Sequence, residues 1–179
     1  MKAIRLTLLC HAQTDAQKTG RWPCAEDAIV ALREPPSAPA PGTQVICAPE
    51  RRATETAAYL ASHPHIEPAL ADLGLGNWHG VSLKALQAEQ PDALAQWLQD
   101  PYSAPHEGES IAALCQRVGT WLSGFDTPGH WLAVTHPMVI RAALIQVLEC
   151  PLVSLQRIDV LPLSRIELSY AGKWRLRVR

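Results

Sequence analysis

The sequence lacks the cysteine patterns that hold zinc or carry out redox chemistry. Its five cysteines are irregularly spaced, and no two of them form a Cys-x-x-Cys pair. An odd number of unpatterned cysteines argues against a zinc knuckle, a redox motif or a disulfide framework. We therefore expect free thiols and a reducing, cytoplasmic location.

The sequence also lacks an excess of one charge and any long apolar run. Sixteen basic and seventeen acidic residues give a net charge of -1, and the basic residues never form a run. We therefore expect no nucleic-acid partner. No apolar stretch is long enough to span a membrane, so no membrane partner is expected either. A hydrophobic share of 47% in 179 residues indicates a soluble globular protein, and we predict a single domain over residues 1–179.

Two apolar runs each end at a histidine. The first lies in Ile4–Thr14 and ends abruptly at Cys10 and His11, which indicates a buried central strand. A lone histidine after a strand is more often packed or hydrogen-bonded than catalytic. However, a second run, Trp131–Thr135, ends in the same way at His136. Open α/β folds bind ligands at the ends of such strands, so the two histidines can meet over one crevice.

A third strand end carries arginines instead of a histidine. Gln44–Cys47 is predicted to be a strand, and a helix is predicted to follow from about Glu50 to Ser62, with Arg51 and Arg52 near its start. A helix N-terminus beside a guanidinium attracts anions, because its free amides and its dipole add to the charge. A solvated pair of arginines on the helix surface is an equally open interpretation.

The rest of the chain alternates between strands and helices. Residues 33–43 contain four prolines and should be irregular. Asp72 precedes a glycine-rich loop that we also expect to be irregular, after a short extended segment at Ile66–Leu73. Strands alternating with helices predict a three-layer α/β fold, in which a mostly parallel central sheet has helices on both faces and an antiparallel edge. Further helices are predicted at about Leu83–Gln90, Pro91–Gln99, Ile111–Leu122 and Met138–Leu148, and a terminal hairpin at Ser164–Tyr170 and Trp174–Val178.

Five motifs in order along the chain resemble those of the histidine phosphatase superfamily, the phosphoglycerate mutase-like proteins. The family has an Arg-His-Gly triplet, a Ser-Pro then Arg-Ala then Thr-Ala signature, an acidic loop ending in Trp-Glu-Gly, a Gly-Glu-Ser turn and a His-Gly with a later arginine. The matching residues are Cys10-His11-Ala12; Ala48-Pro49, Arg52-Ala53 and Thr56-Ala57; Asp72, Gly76 and Trp78-His79-Gly80; Gly108-Glu109-Ser110; and His136-Pro137 with Arg141.

The resemblance implies phosphomonoester hydrolysis with a role for each matching residue. His11 would attack phosphorus to give a phosphohistidine intermediate, and Asp72 would act as general acid and then base. Arg52 would clamp the phosphoryl oxygens, His136 would donate to them, and Arg21 would contact the substrate. The partner would be a small phosphorylated molecule, with no metal and no cofactor. The chain has no room for the extra segments of the larger mutases, which favours hydrolysis over isomerisation.

The sequence departs from the family at several pocket positions. Cys10 stands where the family has a phosphate-clamping arginine, a loss that could lower the rate by ~10²–10⁴ because each charge-assisted hydrogen bond is worth ~1.5–3 kcal/mol. Ala12, Ala48 and His79 replace a glycine, a serine and a glutamate, and Pro137 removes a backbone N–H. We therefore expect slow turnover on common substrates; the alternative is a catalytically inactive relative that only binds a phosphate ligand.

Two other chemistries can be tested against the same residues. A cysteine-dependent phosphatase needs Cys-x5-Arg, but no arginine occurs at that spacing after Cys10, Cys47 or Cys115. Cys10, His11, Asp72 and His136 have ligand types suited to zinc. The resemblance already accounts for three of these four residues in an anion pocket, so a metal site is the weaker interpretation.

Overall fold

A computed structural model of the protein describes residues 3–178, which form one six-stranded sheet in the order β3-β2-β4-β1-β5-β6. The first four strands in this order run parallel, and β5 and β6 pair antiparallel at one edge. This confirms the predicted mostly parallel sheet with an antiparallel edge. The strands are β1 (Ile4–Cys10), β2 (Gln44–Cys47), β3 (His65–Ile66), β4 (Gly129–Thr135), β5 (Arg165–Tyr170) and β6 (Trp174–Arg177).

Helices cover both faces of this sheet, which confirms the three-layer prediction. α5 packs on α6, and α6 packs on β1 and β6, whereas α2 packs on β2 and β4. Parallel strands are joined by right-handed crossovers, so α2 lies on the face opposite α5 and α6. The helices are α1 (Asp15–Thr19), α2 (Arg51–Ala58), α3 (Leu83–Glu89), α4 (Pro91–Gln99), α5 (Ile111–Gly124) and α6 (Pro137–Leu148), with 3₁₀ turns at Pro68–Leu70, Gly76–Trp78 and Leu152–Arg157.

The apolar run near the N-terminus forms β1, a strand in the interior of the sheet, as its composition predicted. It pairs with β4 on one side and β5 on the other, so both of its edges are hydrogen-bonded within the sheet. Leu6, Leu8 and Leu9 are fully buried. Arg5 and Thr7 lie on the other face from Leu6 and Leu8, beside the irregular segment at residues 33–43, which forms neither helix nor strand as predicted.

Two predicted elements are shorter than the sequence suggested. α2 ends at Ala58 instead of about Ser62, because the next turn tightens through i→i+3 hydrogen bonds from Tyr59 and Leu60. The predicted extended segment at Ile66–Leu73 is only the two-residue β3 followed by a 3₁₀ turn. Pro68 begins that turn and cannot donate to a strand ladder, which stops β3.

Candidate active site

The two strand-end histidines lie side by side at one edge of the sheet. β1 and β4 are parallel neighbours with Cys10 opposite Thr135, so the next residue of each strand is a histidine at the same edge. The His11 backbone N–H donates to the Thr135 carbonyl at 2.9 Å. The rings of His11 and His136 have centroids 5.2 Å apart and are almost fully buried. The predicted meeting of the two imidazoles is therefore present.

His11 is held in one tautomer. Its Nδ1 lies 2.7 Å from the Ala12 carbonyl oxygen, which can only accept, so Nδ1 carries the proton and Nε2 keeps its lone pair. No residue within 3–178 makes a hydrogen bond to Nε2. Burial and then the neighbouring His136 lower the pKa of His11 to about 4. At neutral pH His11 is thus an uncharged imidazole with an available lone pair.

The loop after His11 is fixed by α2. The Ala12 N–H donates to Thr56 Oγ1 at 3.0 Å, and that hydroxyl in turn donates to the Arg52 carbonyl at 2.7 Å. The carbonyl of Ala12 that orients the His11 ring is therefore anchored to the helix that carries Arg52. This explains why the threonine of the Thr-Ala signature belongs near the site although it does not reach the cavity.

Arg52 lies in the first turn of α2 and is 1% exposed. Its Nη2 is 2.5 Å from Asp72 Oδ2, and its Nη1 donates to the Cys24 carbonyl at 2.8 Å. Burial acts to raise the pKa of Asp72, but His136 and then Arg52 outweigh it, so that the pKa is lowered. Asp72 is therefore a carboxylate when no ligand competes for Arg52.

Glu50 is a site residue that our sequence analysis missed. Its Oε2 lies 2.7 Å from His136 Nε2, and its Oε1 accepts the Asp72 backbone N–H at 2.9 Å. A carboxylate accepts, so it places a proton on His136 Nε2 and leaves Nδ1 facing Asp72 Oδ2 at 3.5 Å. Burial would raise the pKa of Glu50, but the hydrogen bond with His136 outweighs it and the pKa is lowered. The sequence did contain a signal for Glu50: it is an acidic residue that follows a predicted strand and directly precedes Arg51 and Arg52.

A cavity of about 220 Å³ opens above these residues. Four of the five predicted site residues line it, and the fifth, His136, contacts His11 as described. Arg21 lies on the wall, but its guanidinium is paired with Asp27 at 2.6 Å and also donates to the Trp22 carbonyl. The lining residues are His11, Thr14, Gln17, Arg21, Trp22, Pro23, Arg52, Asp72, Leu73, Leu75, Pro137, Met138 and Arg141.

Several buried nitrogens without hydrogen-bond partners belong to residues that line or adjoin this cavity. Six buried side-chain nitrogens in residues 3–178 have no partner, and four of them are Trp22 Nε1, Arg52 Nε, His136 Nδ1 and Arg141 Nε. Buried polar atoms are normally satisfied, and an unmet one costs about 1–3 kcal/mol. The nitrogens of Trp22, Arg52 and Arg141 are N–H donors, so a ligand that brings several acceptor oxygens would meet their need.

The Gly-Glu-Ser turn supports the site from behind. The Glu109 carboxylate binds Arg117 Nε and Nη2 at 2.9 and 2.7 Å. Arg117 Nη1 then donates to the carbonyls of Ala69 and Ala71 at 2.8 and 3.0 Å. These carbonyls directly precede Asp72. The turn therefore positions the segment that carries the carboxylate.

His79, which stands where the family has a glutamate, connects two walls of the cavity. Its Nδ1 donates to the Pro23 carbonyl at 2.8 Å, and its Nε2 accepts the Leu75 N–H at 3.2 Å. Both Pro23 and Leu75 line the cavity. The departure from the family at this position thus has a structural role in this chain.

Cys10 is buried and its thiol is not activated. Burial and then Asp72 raise its pKa to about 12, which keeps the thiol protonated at neutral pH.

Among residues 3–178, no three His, Cys, Asp or Glu side chains are arranged to hold a metal ion, so the zinc interpretation gains no support. In the same part of the chain, no helix combines the length and the apolar character needed to cross a bilayer.

The fold and the site define an α/β protein with a pocket at the sheet edge where two histidines meet. The sequence model of the histidine phosphatase superfamily (branch 1) matches residues 6–178, and the chain belongs to this superfamily. This confirms the resemblance found in the motifs.

Named relatives of the chain are phosphatases. It is 28% identical over 173 residues to the adenosylcobalamin/alpha-ribazole phosphatase of Salmonella typhimurium, covering 85% of this chain and 83% of that protein. It is 26% identical over 181 residues to a glucosyl-3-phosphoglycerate phosphatase of Mycobacterium tuberculosis, covering 84% and 78%. These relatives support phosphoric monoester hydrolase as the enzyme class.

Solved structures show the same fold. The alpha-ribazole phosphatase of Shigella flexneri superposes with a TM-score of 0.82 at 23% identity, covering 97% of this chain and 95% of that one. A mycobacterial glucosyl-3-phosphoglycerate phosphatase in complex with VO3 gives a TM-score of 0.80 at 23% identity, covering 97% of each chain.

Proposed function

We propose that the protein hydrolyses small phosphomonoesters through a phosphohistidine intermediate on His11, with slow turnover on common substrates. The observation that carries this proposal is the uncharged His11, whose Nε2 lone pair is free beside a group of buried nitrogens that lack partners. A neutral imidazole is a nucleophile, and the surrounding nitrogens supply the contacts that a phosphoryl group needs.

In the first step, His11 Nε2 attacks phosphorus and the bond from phosphorus to the ester oxygen breaks. Arg52 binds the phosphoryl oxygens, which carry the charge that spreads in the transition state. His136 Nδ1 donates to the same oxygens when the ring carries a second proton. The carboxylates of Glu50 and Asp72, 2.7 and 3.5 Å from this ring, offset the positive charge that this requires.

Asp72 supplies a proton to the leaving alkoxide. Its lowered pKa depends on His136 and Arg52, so an arriving phosphoryl group that engages Arg52 removes part of this stabilisation. The negative charge of the phosphoryl group acts in the same direction and favours protonated Asp72. In the second step, Asp72 takes a proton from water, which attacks phosphorus and releases His11.

Slow turnover follows from the pocket positions that differ from the family. Cys10 cannot supply a guanidinium, and Pro137 at the start of α6 has no N–H to donate beside His136. Both changes remove contacts to the phosphoryl oxygens that would strengthen in the transition state.

The cavity wall favours a substrate with an apolar organic part. Besides its polar residues, the lining includes the apolar side chains of Trp22, Pro23, Leu73, Leu75 and Met138. Apolar surface excluded from water on binding contributes about 25 cal/mol per Å². We therefore propose a phosphomonoester whose alcohol is aromatic or aliphatic instead of highly hydroxylated. Two relatives are named for alpha-ribazole and glucosyl-3-phosphoglycerate phosphatase activity, which supports a small phosphorylated molecule as the substrate.

The test is a rapid-quench experiment with p-nitrophenyl phosphate together with trapping of ³²P label on the protein. We expect a burst of nitrophenolate and an acid-labile, alkali-stable label that maps to His11. His11→Asn should lose both signals, and Cys10→Ser should keep them because the thiol is protonated and buried. Label on Cys10, or turnover that survives His11→Asn, would overturn the mechanism.

The alternative, a non-catalytic phosphate-ligand binder, is favoured by the same two observations at Cys10 and Pro137. It predicts no hydrolysis over a broad panel of phosphoesters together with measurable affinity for inorganic phosphate. Hydrolysis by the wild type that disappears in His11→Asn would exclude it.

A further inference from the structure

Arg141 brings another guanidinium to the cavity wall. It lies on α6, five residues after His136, and lines the same cavity as His11 and Arg52. Its side chain is 20% exposed, and its Nε is buried without a partner among residues 3–178. An unpartnered guanidinium nitrogen on a residue that lines the same cavity as a nucleophilic imidazole favours the binding of an anion there.

The charge of Arg141 is poorly neutralised by the protein itself. Its Nη1 lies 3.6 Å from Met138 Sδ, a weak acceptor. Its Nη2 lies 4.0 Å from a carboxylate oxygen of Asp159, whose side chain is 99% exposed. An exposed ion pair at this limit of distance contributes little. The other two arginines on the cavity wall, Arg21 and Arg52, have carboxylates at 2.6 and 2.5 Å.

Arg141 also lies beside the position where the family carries its first arginine. α6 packs on β1, the strand that ends at Cys10. The Arg141 charge is close enough to act on the Cys10 thiol, whose pKa it lowers against the larger effect of burial. Burial lowers the pKa of Arg141 itself, as expected for a cation whose partners are weak.

We propose that Arg141 contacts the phosphoryl group and supplies, from α6, part of the guanidinium clamp that Cys10 no longer supplies from β1. This proposal rests on the proposed function for the identity of the ligand. It differs from that function in assigning a phosphate-binding role to a residue on another element. Lys18 cannot take the role, because it is exposed and does not reach the cavity wall.

The test measures the affinity for inorganic phosphate by calorimetry, which does not depend on turnover. We expect Arg141→Gln to bind phosphate about tenfold to a hundredfold more weakly than the wild type, the size of one lost charge-assisted hydrogen bond. Cys10→Arg should strengthen binding far more in the Arg141→Gln background than in the wild type, because each arginine makes the other less necessary. If the protein binds phosphate in this way but never hydrolyses an ester, the proposed function fails and this inference stands.

Two outcomes would overturn the inference. One is an Arg141→Gln variant that binds phosphate within about twofold of the wild type. The other is a Cys10→Arg gain of equal size in both backgrounds, which would mean that the two positions act separately. Arg51→Gln is the matched control, since Arg51 is an exposed arginine paired with Glu55 next to Arg52, and it should leave phosphate affinity unchanged.

Cys10→Arg places a large cation in a buried position and can fail to fold, so a second measurement tests the same point. Arg141→Ala should recover phosphate binding when millimolar guanidinium is added, because the ion can occupy the vacated space. Arg51→Ala should show no such recovery. Absence of rescue in a folded Arg141→Ala variant would also overturn the inference.

Discussion

Arg52 and Asp72 form a buried ion pair at 2.5 Å between segments that lie twenty residues apart in the sequence. The pair joins the first turn of α2 to the loop behind the sheet edge, and both residues face the same cavity. In the proposed mechanism a phosphoryl group and Asp72 compete for the same guanidinium, so ligand binding and proton transfer are linked at this contact. The first prediction follows from that competition.

Asp72→Asn should slow esters with poor leaving groups more than esters with good ones. An alkoxide must be protonated as it leaves, whereas nitrophenolate is stable without a proton, so general-acid catalysis of about 10²–10⁴ applies mainly to alkyl esters. The measurement is kcat/KM for an alkyl phosphate and for p-nitrophenyl phosphate in both proteins. Asp126→Asn, an exposed carboxylate, is the control. An equal loss on both esters would contradict the role of Asp72 as acid.

The low pKa of His11 makes the stability of the protein depend on pH. The unfolded ring binds a proton below about pH 6.5, whereas the folded ring stays neutral down to about pH 4. Since the unfolded state then holds more protons, stability falls as pH drops from 6.5 to 4 and is unaffected above 6.5. At pH 5 we expect a loss of about 2 kcal/mol from this group, at 1.36 kcal/mol per pH unit.

Urea unfolding at pH 7.5 and pH 5 checks this expectation. His11→Asn should lose less stability over that interval than the wild type, whereas His63→Asn, which alters an exposed histidine, should behave like the wild type. Asp72 and Glu50 have lowered pKa values, so their contributions are lost only as pH falls through those values, below this interval. Equal pH dependence in the His11→Asn variant and the wild type would contradict the burial effect on His11.

Gly76→Ala should destabilise the loop that follows Asp72. The backbone at Gly76 has φ of 46°, and an added Cβ would lie 2.0 Å from the His106 carbonyl oxygen. Overpacking and backbone strain together should cost about 3 kcal/mol or more. Gly124→Ala, at the end of α5 with open space around it, should instead be neutral or stabilise by up to about 1 kcal/mol. Thermal unfolding of the two variants gives the comparison, and similar melting temperatures would contradict it.

Glu109→Gln should loosen the segment that carries Asp72 without touching the cavity. It weakens the hold on Arg117, which binds the carbonyls of Ala69 and Ala71. We expect a loss of about 1–2 kcal/mol in unfolding free energy, typical of a partly buried charge-assisted contact. We also expect a lower kcat on alkyl phosphates with KM little changed, since the position of the acid is affected and not the phosphate site. Glu89→Gln is the control, as that carboxylate is exposed at the end of α3.

The motifs did not specify the contacts that Arg21 and His79 make in the folded protein. The resemblance gave Arg21 a contact with the substrate, and the structure places it on the cavity wall with its guanidinium held by Asp27. His79 was a departure from the family in the sequence, whereas in the fold it joins two walls of the pocket. In both cases the partner atom belongs to a loop whose path is not set by any periodic pattern.

The sequence by itself determined the strands other than β3, the order of the five motifs along the chain, and the family. Apolar runs that end at His11 and His136 predict buried strands from local periodicity alone, and those strands place the two histidines at one sheet edge. Only the tertiary structure decided that Glu50 binds His136, that Ala12 orients His11, and that Arg141 reaches the cavity near Cys10. Such contacts join residues far apart in the chain, or depend on one backbone carbonyl direction. They follow from how α2 and α6 pack on the sheet, which no spacing in the sequence encodes.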